Sequence, residues 1–480
     1  MLPATAFGSA FAINELGARA QGMGGAFASI ADDASAIFFN PAGLAFLKGT
    51  HFEMHNLVVA GQFRFVPSVT PPGQQVPGKG YSGSIRQPFI PVANLYVSHR
   101  LNDKWAIGFG AYAPFGLAAN WTNFNDGDPA NTKYVGRFAG TRAKLLDFWL
   151  QPTAAYRIND SSAISVGVAY VHTYLLLEQS IGNPYDAPTD FSRDLAKDLF
   201  PGVDADLAAR SFNRLQPEGR FRAAATSNKP AFSAGYLYKH RASGWQFGAS
   251  WRSPLVRHLK GKGSFAFLDN SPLTPFLPKD RNLDVLFQNQ EIAGTFTTPA
   301  TYVLGVSRPL AGGRIAFDFR IQDFQRFKDL PLNFSITKDS QGRDLATSPE
   351  SRLTFDFSNS YLLQAGYEKP LAPGTGPKMM QGMLANTTFR AGYVYDKSPV
   401  VDKSVGPLFP DANRHSFTAG MSKLVGNIEL TLFYQFMQMR NRAVDVPANA
   451  HLFTNGSYNN LAHLAGASLR LHFGGGDRLD

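Results

Sequence analysis

The chain has 480 residues, a formal net charge of +10 from 46 Lys+Arg against 36 Asp+Glu, no Cys, 45 Gly and 40 Phe. Charged residues are 17% of the chain, where about 25% is usual for a soluble protein; yet mean hydropathy is −0.17 and no run reaches the roughly 18 apolar residues of a spanning helix, which excludes a helical membrane protein. The missing Cys excludes a disulfide scaffold, Cys-ligated zinc and a thiol nucleophile, and no Lys/Arg-rich run supports a nucleic-acid partner.

In chain order, residues 1–10 lack the charged and apolar regions of a complete signal peptide, although Gly8-Ser9-Ala10 resembles the end of one. Residues 11–49 have no two-residue period. They carry Gly17, Gly22, Gly24 and Gly25, then Ala31-Asp32-Asp33-Ala34, then Asn40-Pro41-Ala42-Gly43-Leu44.

From residue 50 the dominant signal is alternation. Ile315, Phe317, Phe319 and Ile321 interleave with Ala316, Asp318, Arg320 and Gln322, and Ile428, Leu430, Leu432 and Tyr434 interleave with Glu429, Thr431 and Gln435. Fourteen candidate strands follow, near 50–63, 90–101, 104–113, 143–158, 162–178, 219–240, 244–260, 291–308, 313–325, 353–369, 387–397, 413–424, 427–440 and 461–473. Every second connection is brief, for example Leu101-Asn102-Asp103 and Val425 to Asn427, with Lys369 to Asn386 the exception; the others run from about a dozen to about forty residues.

A soluble sandwich also alternates, with its oily face inward. Short turns at one end, long loops at the other and an even strand number instead describe an outer-membrane barrel, which leaves no unpaired backbone in lipid. The expected fold is an all-β membrane protein: a 14-stranded antiparallel transmembrane β-barrel over residues 50–473, with residues 11–49 as a hatch in the lumen and 474–480 as a tail. A barrel this wide is not filled by its own side chains, so an unplugged one is an aqueous pore.

The ordered motifs Asn14-Glu15, Ala31-Asp32-Asp33-Ala34, Asn40-Pro41-Ala42-Gly43-Leu44, Phe115-Gly116-Leu117, Gly136-Arg137-Phe138, Trp251-Arg252-Ser253, Thr298-Pro299, Arg390-Ala391-Gly392-Tyr393 and Pro410-Asp411-Ala412-Asn413-Arg414 resemble the outer-membrane transporters for long-chain fatty acids and aromatic hydrocarbons (FadL/TodX type). The resemblance covers nearly the whole chain. It implies passive uptake, with no enzymatic step and no cofactor, by a monomer of bacterial outer membranes. Hydrophobic ligand is captured by extracellular loops, passed to an inner apolar pocket and released sideways at a kink in the third strand. The matching positions are Pro114, Phe115 and Gly116, and the hatch motif Asn40, Pro41, Ala42 and Gly43 is expected beside them. Pro lacks the ladder N–H and Gly leaves the wall thin; the alternative is that Pro114 ends its strand. The chain departs from the family by continuing past Phe473, where a terminal aromatic normally closes the last strand.

Phe191, Leu195 and Leu199, then Leu207 and Phe212, suit two short amphipathic helices in one long loop, and Phe265, Phe267, Leu273 and Phe276 suit the facing wall of a capture groove; both sets equally suit packing on the rim. Arg257, Lys260 and Lys262 suit lipopolysaccharide phosphates or a solvated face, and Arg137, Lys144, Arg320 and Arg390 suit a ligand carboxylate or lumenal ion pairs. No G-x-S-x-G and no H-E-x-x-H occurs, so an enzyme is not supported. The alternative to a transporter is a surface adhesin or receptor working through its loops.

Overall fold

A strand that alternates apolar and polar residues has one face for lipid and one for a polar interior, and the computed structural model arranges these strands into a closed wall. It describes residues 9–68, 82–85, 90–123, 134–181, 193, 197, 201–208, 219–267, 289–335, 350–372, 374–375, 379, 381–447 and 453–474. Among them are fourteen barrel strands, some interrupted: β1 (Thr50–Pro67), β2 (Gly83–Ile85 and Ile90–Arg100), β3 (Trp105–Asn123), β4 (Arg142–Arg157), β5 (Ser162–Ile181), β6 (Gly219–Lys239), β7 (Gln246–Arg252 and Leu255–Phe267), β8 (Gln290–Thr298 and Thr301–Leu310), β9 (Gly313–Gln322 and Asp329–Phe334), β10 (Glu350–Thr354 and Ser360–Pro370), β11 (Thr387–Asp396), β12 (Arg414–Val425), β13 (Ile428–Met439 and Arg442–Val444) and β14 (Gly456–Phe473). Each is antiparallel to its neighbours, and β1 closes the ring on β14 from Thr50↔Phe473 to Pro67↔Gly456. Among the described residues no helix is long and apolar enough to cross a membrane.

The alternation read from the sequence is the two faces of this wall. On β13 Ile428, Leu430, Leu432 and Tyr434 are exposed on the outside, while Glu429, Thr431 and Gln435 are buried inside. Outward apolar exposure of this kind is what lipid covers.

Residues 9–49 lie against the inner face of the wall. They contain the short helices α1 (Ala18–Gly22) and α2 (Ala36–Phe39) and a 3-10 turn, Pro41–Phe46, and nearly all are buried. Glycines on the wall let this segment come close: a side chain on Gly248 would strike the Ala28 carbonyl, and one on Gly392 the backbone of Met23 and Gly24.

The interruptions in β7 to β9 have a local cause. Pro254 and Pro299 lack the N–H that the ladder needs, and a 3-10 turn at Phe324–Arg326 breaks β9. Where the ladders stop, side chains leave the alternating pattern, and Phe324, Phe327, Phe355 and Phe357 turn into the interior.

Candidate functional site

These Phe rings build a cage with Phe11, Phe296 and Phe409. Phe11 sits 5.2 Å from both Phe324 and Phe327, 5.9 Å from Phe115 and 6.0 Å from Phe409 between ring centroids, mostly tilted or edge-on. Leu117, Leu145, Leu175 and Leu330 are among the other residues of the lining, and about 30 Å³ of open space remains, far less than a small-molecule pocket holds. The sequence reading missed this cage; its signal was Phe placed out of alternation beside Pro and turn residues.

The kink lies next to the cage. β3 runs on through Pro114 to Asn123, so Pro114 does not end the strand. Tyr112 pairs with Trp149 but Phe115 pairs with Asp147, so β3 carries one extra residue there, a bulge. On its other edge β3 pairs with β2 from Arg100↔Ala106 to Leu95↔Ala111, and among the described residues pairing resumes only at Ile85↔Trp121. Between those points the N-terminal segment takes part of the ladder's place: Ile13 N–H donates to the Pro114 carbonyl and Gly116 N–H to the Phe11 carbonyl, both at 2.8 Å.

Asn40 engages a different strand from the one expected. Its side-chain amide donates to the carbonyls of Ala28 (2.8 Å) and Tyr236 of β6 (2.9 Å), and its oxygen accepts from Ala42 N–H (3.3 Å), capping the 3-10 turn with Pro41 at its first position. Gly43 packs on the Ala31 carbonyl. The residues at the kink are therefore Phe11 to Ile13, and the Asn40 motif fixes the opposite part of the segment.

Charge holds the segment to the wall. The Arg19 guanidinium meets Asp32 at 2.7 Å and Glu368 of β10 at 2.9 Å, Arg314 meets Asp32 at 3.2 Å, and Arg390 meets Glu368 at 3.0 Å. Burial alone would raise the Asp32 carboxyl, but Arg19 and Arg314 outweigh it and hold it well below its ordinary range. Glu15 goes the other way: burial raises it against the opposing pull of Asn14 N–H and Arg414. Asp318 of β9 accepts from Phe27 and Ala28 N–H at 2.9 and 2.8 Å.

Other cations fall as follows. Arg320 is buried in the lumen and donates to Asn14, and Arg390 donates to Glu368 and Ser422, so both bind the wall or the segment. Arg137 donates to the Tyr134 carbonyl (3.0 Å) and lies over the Phe138 ring. Lys144 sits in register between buried Ala143 and Leu145, on the outward face rather than in the lumen. Arg257 is not at the lipid surface either: it is fully buried, ion-paired to Asp147, with Phe115 and Phe296 rings beside it. Lys260 and Lys262, three and five positions further along β7, are therefore on the opposite, outer face and are exposed.

Of the capture residues, Leu207 is 60% exposed on a helical turn that Asp204 caps at 2.9 Å, and Phe265 is half-buried 5.0 Å from Phe221. Phe267 ends β7. Phe191, Leu195, Leu199, Phe212, Leu273 and Phe276 lie outside the described residues.

Residues 1–473 match the family model described as outer membrane protein transport protein (OMPP1/FadL/TodX). A long-chain fatty acid transport protein of Escherichia coli O157:H7 is 23% identical over 440 residues, 88% of this chain and 85% of that one. The fold is similar to that of a Pseudomonas aeruginosa FadL homologue (TM-score 0.73, 16% identity, 97% of this chain and 100% of the other) and of the P. putida toluene transporter TodX (TM-score 0.66, 17% identity, 96% and 99%). Matched along nearly its whole length, the chain belongs to the OMPP1/FadL/TodX family of outer-membrane transport channels.

Proposed function

We propose that this protein is a passive uptake channel for hydrophobic small molecules, fatty acids or aromatic hydrocarbons, that acts as a monomer and releases its ligand sideways at the β3 kink. Relatives named for long-chain fatty acid and toluene transport support the substrate class. A wall closed on itself by the β1–β14 seam suits a monomer. Ligand taken up by the loop residues around Leu207 and Phe265 enters the Phe cage by displacing Phe11, since the free volume there is too small for any such ligand. Residues 9–49 act as the hatch that keeps ions out.

The observation that carries lateral release is the interrupted β2–β3 ladder, facing Phe11 to Ile13 where the strand bulges. Displacing Phe11 from the cage also withdraws the carbonyl that holds Gly116, so filling the pocket and freeing the kink are one event. Because Arg320 and Arg390 are engaged by the protein itself, apolar burial supplies the affinity, scaling with the area covered. Lys260 and Lys262 face outer-leaflet phosphates.

Deleting Pro114 removes the one extra residue and lets β3 run in register. Uptake of labelled long-chain fatty acid and of a labelled monoaromatic is measured in cells that lack their own transporter. The deletion is expected to abolish uptake while keeping heat-modifiable gel mobility; undiminished uptake by the folded variant refutes the sideways route.

A further inference from the structure

The outer wall over β11 to β13 carries a recess of about 470 Å³ lined by Lys397, Ser398, Asn413, Arg440, Asn441 and Arg442. Its place in the wall follows from register. Tyr393, Tyr395 and Lys397 share the outward face of β11, His415 and Phe417 that of β12, and Tyr434, Gln438 and Arg440 that of β13. Directly below the recess is an outward belt of rings: the Tyr393 hydroxyl lies 2.7 Å from His415 Nδ1, the Tyr395 ring is 5.3 Å from that of His415, and Lys397 Nζ stands 5.6 Å from the Tyr361 ring centroid. Aromatic belts of this kind sit at the membrane–water interface, so the recess is at headgroup height.

Its charge is uncompensated. Asp402 is the acid in the lining, and Arg442 already holds it at 2.7 Å. Among the described residues, Lys397 and Arg440 have no carboxylate within ion-pair distance. Asn441 adds an amide group suited to sugar hydroxyls; the Asn413 oxygen accepts from Ser398 N–H at 3.0 Å and its amide reaches the Tyr395 hydroxyl at 3.5 Å, which leaves it one N–H and one lone pair for a sugar.

We propose that this recess binds a phosphorylated sugar headgroup of an outer-leaflet glycolipid: Lys397 and Arg440 hold the phosphate, Asn413 and Asn441 face the sugar, and the acyl chains run down over Tyr395, His415 and Phe417. The volume is that of a small-ligand site, which separates it from the flatter wall carrying Lys260 and Lys262, where Glu291 stands beside Lys262 in register. The inference needs only that the barrel sits in the outer membrane, and it holds whatever the channel carries.

The test uses the full chain purified in detergent, titrated with bisphosphoryl lipid A, with its dephosphorylated form and with inorganic phosphate. Bisphosphoryl lipid A is expected to bind, and Lys397→Gln with Arg440→Gln to weaken it about tenfold or more. Lys397→Arg with Arg440→Lys should restore it, and Lys104→Gln, in an exposed short turn at the other end of the barrel, should leave it unchanged. Heat-modifiable mobility shows that each variant is folded. Undiminished binding by the Gln pair, equal binding of the dephosphorylated lipid, or binding of inorganic phosphate without the lipid overturns the proposal.

Discussion

Arg19 donates two parallel hydrogen bonds, 3.2 and 2.9 Å long, to the Glu368 carboxylate, and so ties the N-terminal segment to the tenth strand of the wall. Glu368 also takes Arg390, so one carboxylate serves a cation from each partner. Removing one member of a buried pair costs about 3–5 kcal/mol. Glu368→Gln is therefore expected to loosen the segment while the strands hold. Planar-bilayer recording should show larger steady conductance than the parent; an unchanged trace would mean that the other anchors suffice.

Acid should act on the same attachment. A carboxyl held below its ordinary value of 3.8, as Asp32 is, contributes stability that is complete above that value and is lost as pH falls below it. Glu15, raised by burial, has the opposite sign and contributes most at low pH, so it partly offsets the loss. Conductance is expected to rise on acidification below about pH 4. Asp32→Asn should raise it already at neutral pH and flatten the pH dependence.

The buried pair of Arg257 and Asp147 offers a test of stability without transport. Asp147→Asn leaves a guanidinium with no counter-charge and should cost about 3–5 kcal/mol, whereas Arg257→Met with Asp147→Asn removes both charges and should recover most of it. The temperature at which the band shifts on an unboiled gel series reports both; a double variant as unstable as the single would show that packing, and not charge, holds the site.

Gly392 tests whether the enclosed segment needs close approach. Its missing side chain leaves room for the backbone of Met23 and Gly24. Gly392→Val should displace the segment and raise permeability to a large antibiotic, while Ala391→Val, whose side chain faces outward, should do neither. Equal sensitivity of the two strains would contradict this packing.

The strands were legible because alternation is a local property of a wall with lipid on one side. All fourteen candidate positions became barrel strands, and the short connections became the tight turns. Phase arithmetic held more than was drawn from it. Lys144 is one residue out of step with Ala143, Leu145 and Asp147, which marks it as outward, and Arg257 is out of step with Lys260. The Phe cage was not legible, because it forms where ladders stop and period two no longer tells a side chain where to point. Nor was the partner of Asn40: which wall strand a compact segment touches depends on how the ring closes, and Tyr236 is 196 positions away along the chain.

Thr50 pairs with Phe473, so the first strand waits for the last one before the ring can shut. Contacts so distant along the chain form slowly. The segment ahead of β1 touches β3, β6, β10 and β14 from within, so its partners come from all round the wall. The part of the chain made first therefore cannot complete its own contacts until the part made last has arrived, and its fold is a product of closure rather than a seed for it.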